Sequence, residues 1–597
     1  MLCILSMRMP GIRGTSIAVV ARRLVHHIAN PIVVTCAFQE LGVDRLFAKC
    51  LVGLVIACWC GTPMASERER VVKTTGGEVR ALSSNGIAIF KGVPYAAAPV
   101  GDLRWRATMP VIPWTGVRNA FDYGAPCAQG ARGWNDAIAA VSSEDCLFLN
   151  IWTPATTGKA RLPVMVFFPG GANQGGSARG DTAIEPLYDG EKLASRGVIV
   201  VTVNYRVGVF GFLAHPELTA ESAHHASGNY ALFDQMAALR WVRDNIVHFG
   251  GDSKNVTAFG QSAGSADLGA LMTSPLARDL FAKVILLSNS VLDGDPIFST
   301  LTQGEATGVQ ITQRAGAPSS GAIAYLRGLS ANDLLRALMA DPSKGRPPRP
   351  DMIIDGYIIR ETPGQALLEG RELSIPVIIG TTARDGDIKS MGVKGNSKAE
   401  AAAADAARPP ARDGSTAPLT EDVRAAIQDF YKSDPRLVQQ ALALYGGVPS
   451  TDPADGSRGI EFNTDIHFRC GSEIVASLHS RRNPTWEYQF SHGYEPLGAV
   501  HLWDLQYLFG FMIKPADQPI DRELSSAVQR YWTNFAKTGN PNGRGLAAWP
   551  KADSQLSYLD FTSDGPVAKT GLRRAACELF KRKIVQELES EPRGDRE

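Results

Sequence analysis

The chain has 597 residues, of which 44% are hydrophobic and 20% charged, a balance that suits a soluble globular protein with a substantial core. Lys plus Arg total 61 against 60 for Asp plus Glu, a net charge of +1. Near-neutrality gives no footing for a nucleic-acid or polyanion partner, and it leaves a neutral organic substrate open.

Residues 45–65 read RLFAKCLVGLVIACWCGTPMA: Arg45 and Lys49 form a basic start and Cys50 to Cys60 an apolar run. This is the pattern of an export signal, and the run falls short of the roughly 20 apolar residues of a membrane-spanning helix. Ala65 has Pro63 two places before it, which obscures the cleavage site; alternatively, Val55-Ile56-Ala57-Cys58 resembles a lipobox, which would leave a lipid anchor at Cys58. Residues 1–40 precede this signal, and we expect them to be an upstream artefact of a translation start near Val43. One domain is expected over 66–590.

Five of the nine cysteines lie in the first 60 residues, leaving Cys127, Cys146, Cys470 and Cys577. No pair has C-x-x-C spacing, which argues against zinc or a thioredoxin-like motif. An even count behind an export signal favours two disulfides.

From Glu67 onward apolar β-rich runs alternate with helical patterns, predicting an α/β fold. Pro163 to Phe168 (PVMVFF) and Val198 to Val203 (VIVVTV) read as strands covered on both faces. Leu232, Met236, Leu239 and Val242 fall at helical spacing in a segment stopped by Gly250-Gly251. Val256 to Phe259 reads as a strand and Ser265 to Met272 begins a helix. Val284 to Leu287, Val377 to Ile379 and Trp486 to Phe490 continue the strand series. Residues 395–418, rich in Ala, Pro and small polar residues, read as a mobile surface insertion, and the charged tail from Glu587 is expected to fray.

Gly260-Gln261-Ser262-Ala263-Gly264 fits G-x-S-x-G and sits directly between a predicted strand and a predicted helix. That setting is what a nucleophile elbow requires: a tight turn that lifts the Ser262 hydroxyl above the sheet edge, at the positive end of a helix. It implies an α/β-hydrolase fold, a large mostly parallel central sheet flanked by helices. Attack on a carbonyl creates an oxyanion that needs N–H donors already in place. One should be the N–H of Ala263; the others should come from the Gly-rich loop Pro169-Gly170-Gly171-Ala172 after the strand PVMVFF. A histidine base and an acid should follow in the order Ser, Asp or Glu, His. Four histidines follow Ser262: His467, His479, His492 and His501. Position in a loop after a strand favours His501, with His492 next. Asp385 lies just after the strand Val377 to Ile379, with Asp387 as competitor.

Four blocks carry a family resemblance: Phe90-Lys91-Gly92-Val93-Pro94-Tyr95-Ala96 with Leu103-Arg104-Trp105; Glu144-Asp145-Cys146-Leu147-Phe148-Leu149-Asn150; the run SGNYALFDQMAALRWVRDNIVHFGGDSKNVTAFGQSAG; and GAVHLWDLQYLFG. In these, from about Val71 to Val585, the chain resembles type-B carboxylesterases, the group of cholinesterases and bacterial para-nitrobenzyl esterases. The resemblance implies a triad of Ser262, Asp385 and His501, oxyanion donors at Gly171, Ala172 and Ala263, and disulfides Cys127–Cys146 and Cys470–Cys577. It also implies a serine hydrolase acting on a small or medium organic ester through an acyl-enzyme, with no metal or organic cofactor. From the charge balance we expect no nucleic-acid partner, and from the export signal and its short apolar run a periplasmic or secreted protein with no membrane span. A lipase, amidase or thioesterase with the same triad is the first alternative, and a non-catalytic cholinesterase-like binding protein the second. Two departures stand out. Asp385 occupies a position usually held by Glu, one methylene longer, so the backbone must sit closer to His501. Pro169 and Asn173 replace the usual His and aromatic of the oxyanion loop.

Overall fold

The computed structural model describes residues 68–590, apart from 156, 181–186, 290, 293–296, 340–344, 346, 388–418, 448–452 and 512–517. The signal-like segment 45–65 with Cys58, the stretch 1–40 and the insertion 395–418 lie outside the described residues. The C-terminal helix runs Arg574–Ser590, so the tail is helical past Glu587.

A 13-stranded sheet organises the chain. In chain order its strands are β1 (Arg68–Lys73), β2 (Glu78–Ser84), β3 (Ile87–Pro94), β4 (Val117–Asn119), β5 (Phe148–Thr153), β6 (Leu162–Phe168), β7 (Ile199–Val203), β8 (Gly251–Gln261), β9 (Lys283–Leu287), then β12 (Val377–Thr382), β13 (Thr485–Phe490), β14 (Ser557–Thr562) and β15 (Gly565–Thr570). β10 (Phe298–Thr300) and β11 (Met352–Ile354) form a separate pair. The spatial order is β1-β2-β3-β5-β7-β6-β8-β9-β12-β13-β14-β15, with β4 on β2. From β7 to β14 neighbours run parallel; β5 on β7 and β15 on β14 are antiparallel. This is the α/β-hydrolase architecture.

The apolar runs are continuous because both sheet faces are covered. Side chains of a strand alternate between faces, so Val164, Val166 and Phe168 of β6 enter one core while Met165 and Phe167 enter the other. In β7, Ile199, Val201 and Val203 divide from Val200 in the same way. The first core also receives Leu232, Met236, Leu239 and Val242 of helix α1 (Tyr230–Asn245). The second receives Leu524, Val528, Trp532 and Phe535 of the helix Pro519–Thr538.

Two boundaries differ from the sequence expectation. β8 starts at Gly251, because that residue pairs with Leu162 before the run Val256 to Phe259 begins; only Gly250, at φ 92°, ends the helical segment. Helix α2 (Ala263–Met272) starts at Ala263, two residues early, since Ser262 is its N-cap. β6 and β8 are neighbours in the sheet, but the chain leaves β6 for β7 on one side and leaves β8 for β9 on the other. That reversal opens a crevice outside the carboxyl ends of the strands, where open α/β sheets bind ligands.

Candidate active site

Ser262 follows β8 at that crevice, with φ 55° and ψ −124°. A left-handed φ is costly for a residue with a side chain, and the surroundings enforce it. A Cβ on Gly260 would meet the Gly264 carbonyl oxygen at 2.5 Å, and a Cβ on Gly264 would meet the Phe168 oxygen at 2.2 Å. Both glycines of the motif are therefore required by backbone passing backbone. Ser262 donates its backbone N–H to Leu287 O at 2.9 Å, and its carbonyl accepts from Ala266 N–H at 2.9 Å. The side chain is half-buried.

The loop after β6 reaches the same place. A Cβ on Gly170 would lie 2.8 Å from Ser262 Cβ. Gly171 has φ 126°, while Ala172 and Asn173 are left-handed at 52° and 56°. The backbone N–H groups of Gly171, Ala172 and Ala263 have no hydrogen-bond partner among the described residues. The loop is anchored by Tyr205, whose hydroxyl donates to Pro169 O at 2.5 Å, and by Gly208 N–H, which donates to Asn173 O at 2.6 Å.

Asp385 comes from the loop after β12 and His501 from the loop after β13. His501 Nδ1 lies 2.6 Å from Asp385 Oδ1, and Oδ2 accepts Thr382 N–H at 3.0 Å. Asp385 is fully buried. The two loops are sewn together beside it: Arg384 N–H donates to Ala499 O at 2.9 Å, and Arg384 forms a parallel bridge with Val500. This holds the loops bearing Asp385 and His501 side by side. With Nδ1–H donating to the carboxylate, Nε2 is the acceptor, and Gln261 Nε2 faces it at 3.1 Å. The Ser262 hydroxyl makes no hydrogen bond among the described residues. Phe468 packs its ring 4.9 Å from that of His501, on the π-helical turn Asp465–Arg469.

The competing candidates go elsewhere. His492 bridges Asp521 (2.9 Å) and Ser563 (2.9 Å), and His479 bonds Glu372 at 3.1 Å and Ile375 O at 2.8 Å. The carboxylate on His501 is that of Asp385, while Asp387 turns back on Arg384 O through its N–H at 3.0 Å. Cys127–Cys146 and Cys470–Cys577 are disulfides, with Cα atoms 4.9 and 4.7 Å apart. Among the described residues no cluster of three or more His, Cys, Asp or Glu could hold a metal, and no helix is long and apolar enough to cross a membrane.

Three neighbours escaped sequence reasoning. Gln261 occupies a variable place in the motif, with no local sign that it meets His501. Asp504, just past His501, is buried with its carboxyl pushed up to about 6, chiefly by burial; Tyr488 Oη donates to it at 2.7 Å. Asp267 of α2 is fully buried beneath the Gly-rich loop. It accepts Asn173 Nδ2 at 2.8 Å and Gln235 Nε2 at 2.6 Å, and burial pushes it up to about 7.

Comparison with known proteins places this geometry in context. A family model described as the Carboxylesterase family matches residues 68–580. Fumonisin B1 esterase of Sphingopyxis macrogoltabida is 33% identical over 510 residues, covering 82% of this chain and 86% of the relative. Para-nitrobenzyl esterase of Bacillus subtilis (strain 168) is 34% identical over 497 residues, covering 81% and 92%. Among solved structures, a PNB esterase superposes with a TM-score of 0.68 at 32% identity, covering 86% of this chain and 100% of that one.

Proposed function

The chain belongs to the carboxylesterase family and is a carboxylic ester hydrolase, and from that premise we propose that it works through Ser262, His501 and Asp385 by way of an acyl-enzyme. The observation that carries this reading is the 2.6 Å contact between His501 Nδ1 and Asp385, which leaves Nε2 as the acceptor beside Gln261, the residue next to Ser262.

As Ser262 Oγ attacks the ester carbonyl carbon, its proton passes to His501 Nε2, and the imidazolium so formed is stabilised by the Asp385 carboxylate. The carbonyl electron pair moves onto oxygen, where the N–H groups of Gly171, Ala172 and Ala263 receive it. Collapse of the tetrahedral species breaks the C–O bond, and the alcohol leaves with the proton from Nε2. Water then attacks the acyl-Ser262 ester, again giving a proton to Nε2, and the acid departs with Ser262 restored. The unpaired N–H groups and the left-handed φ of Ser262 support these roles: donors held ready for charge that develops later are the main source of acceleration in such reactions.

The substrate class follows as a small-molecule ester. The reading includes export: two disulfides need an oxidising compartment to form, and the segment 45–65 would supply the signal, with cleavage near Ala65 or lipidation at Cys58. N-terminal sequencing of the natural product checks the translation start near Val43; a peptide from residues 1–40 would defeat that start.

A fluorophosphonate probe and a panel of 4-nitrophenyl esters, matched amides and thioesters test the chemistry. Wild type should be labelled and should turn over esters ahead of amides, while Ser262→Ala should do neither. Labelling of Ser262→Ala equal to wild type would overturn the assignment.

A further inference from the structure

The buried acid Asp267 has no part in the sequence of proton transfers above, yet it lies directly beneath the loop that is to receive the oxyanion. We propose that Asp267 and Asn173 are a positioning pair that fixes the backbone of Ala172, and hence its N–H, over Ser262. The proposal rests on the functional reading above and adds the residues that hold its amide pocket in place.

Three observations converge on it. The first is strain: Ala172 and Asn173 are consecutive non-glycine residues in the left-handed region, at φ 52° and 56°. Such a conformation is costly for a residue with a side chain and persists only where contacts over-determine it. The second is the means of holding it. Asn173 is gripped at two points, its carbonyl by Gly208 N–H at 2.6 Å and its side chain by Asp267 Oδ1 at 2.8 Å. Asp267 is in turn fixed from the far side by Gln235 of α1, at 2.6 Å. Fully buried on α2, it transmits the position of the helix that begins at Ala263 to the facing loop. One brace thus references two amide sources, Ala172 and Ala263, to the same helix.

The third observation is how fully the side-chain amides are committed. A carboxyl–amide hydrogen bond in a buried site fixes both distance and angle, because an unmet polar group there is costly. Asn173 Oδ1 and Gln235 Oε1 are themselves buried and unpaired, so both amides are committed to Asp267 through their nitrogen atoms.

The test compares kcat, KM and inhibition by a trifluoromethyl ketone, whose hemiketal oxygen would sit on the amide groups, in Asn173→Ala, Asp267→Ala, Asp267→Asn and the Asn173→Ala/Asp267→Ala pair. The expected result is a 10- to 100-fold loss of kcat in each alanine variant, with KM within about threefold of wild type and ketone affinity falling in step with kcat/KM. The double variant should lose no more than the worse single one, and Asp267→Asn should recover most of what Asp267→Ala loses, since the new amide keeps an acceptor for Asn173. Losses that multiply in the double variant, an unchanged ketone affinity, or kcat within threefold of wild type would overturn the pair. Asn173→Ala, at a half-buried loop position, keeps the test open if Asp267→Ala does not fold. Ser262→Ala is the separating control: retained turnover there would sink the functional reading itself, whereas an inactive Ser262→Ala beside unaffected brace variants would sink only the brace.

Discussion

Asp385 Oδ1 and His501 Nδ1 meet at 2.6 Å across 116 residues of sequence. Arg384 ties together the loops that bear the two side chains. The Arg384 backbone bridges Ala499 and Val500, while its guanidinium holds Glu495 at 2.6 Å, Pro496 O at 3.0 Å and Ala454 O at 3.2 Å. In the proposed mechanism, replacing the acid with its amide, Asp385→Asn, would remove the charge that stabilises the imidazolium and disturb the tautomer that keeps Nε2 an acceptor. It should lower kcat by about 10³- to 10⁴-fold with little change in KM. Arg384→Ala keeps the backbone bridge but frees the loop, and should cost about tenfold in kcat. Steady-state kinetics on a 4-nitrophenyl ester separate the two, and equal losses would contradict this division of roles.

The glycines of the elbow offer a steric test. A Cβ at position 264 would collide with Phe168 O at 2.2 Å and Pro169 O at 2.7 Å, both backbone atoms that no rotamer change can move. Gly264→Ala should abolish turnover and lower the melting temperature. Gly130 has open space around its would-be Cβ and no left-handed φ, so Gly130→Ala should leave both unaltered. Thermal melts with an ester assay decide it; an active Gly264→Ala would refute the packing of the elbow against the loop.

Much of this centre is local in sequence, and that part could be read. The elbow is one strand, one turn and one helix, all spelled out between Val256 and Met272. Choosing Asp385 over Asp387 needed the family resemblance, because no pattern encodes which of two loop carboxylates two places apart meets His501, 116 residues away. Gln261 meets His501 from 240 residues away, and Asn173 meets Asp267 from 94. Both contacts arise from tertiary packing, and neither residue carries a periodic or compositional mark. The family resemblance marked Asn173 as a departure from an aromatic; its partner Asp267 became visible only with α2 folded against the loop.

Asp267 also predicts a pH dependence of stability. Burial raises its carboxyl from the ordinary value of 3.8 to about 7, opposed only by the neutral amides of Asn173 and Gln235; no charged group contributes. Below pH 4 it is protonated whether the chain is folded or unfolded, and nothing is lost. Between about 4 and 7 the folded state binds the extra proton, so stability falls as pH rises through that window and then levels off. Asp267→Asn removes this ionisation. Its melting temperature, relative to wild type, should therefore be higher at pH 8 than at pH 5. A difference between the two proteins that stays constant across the range would show that the acid does not titrate there.

The two disulfides should separate stability from catalysis. Cys470–Cys577 closes a span of 107 residues, joining the helix Cys470–His479 to the C-terminal helix. Cys127–Cys146 spans only 19. Loop entropy alone ranks the first as worth about 5 kcal/mol and the second about 3. The shorter loop, however, lies beside the Gly-rich turn proposed to receive the oxyanion: Gln129 accepts Gly176 N–H at 2.9 Å and Asn135 Nδ2 at 3.0 Å, and the Trp134 ring lies 3.1 Å from where a Gly171 Cβ would stand. Opening it loosens the ground on which Gly171 and Ala172 rest. Cys470→Ala/Cys577→Ala should therefore show the larger drop in melting temperature, with nearly full kcat well below that temperature. Cys127→Ala/Cys146→Ala should show the smaller drop in melting temperature and the larger loss of kcat. If kcat instead follows melting temperature across both pairs, the short loop serves the fold alone and lends no support to the turn.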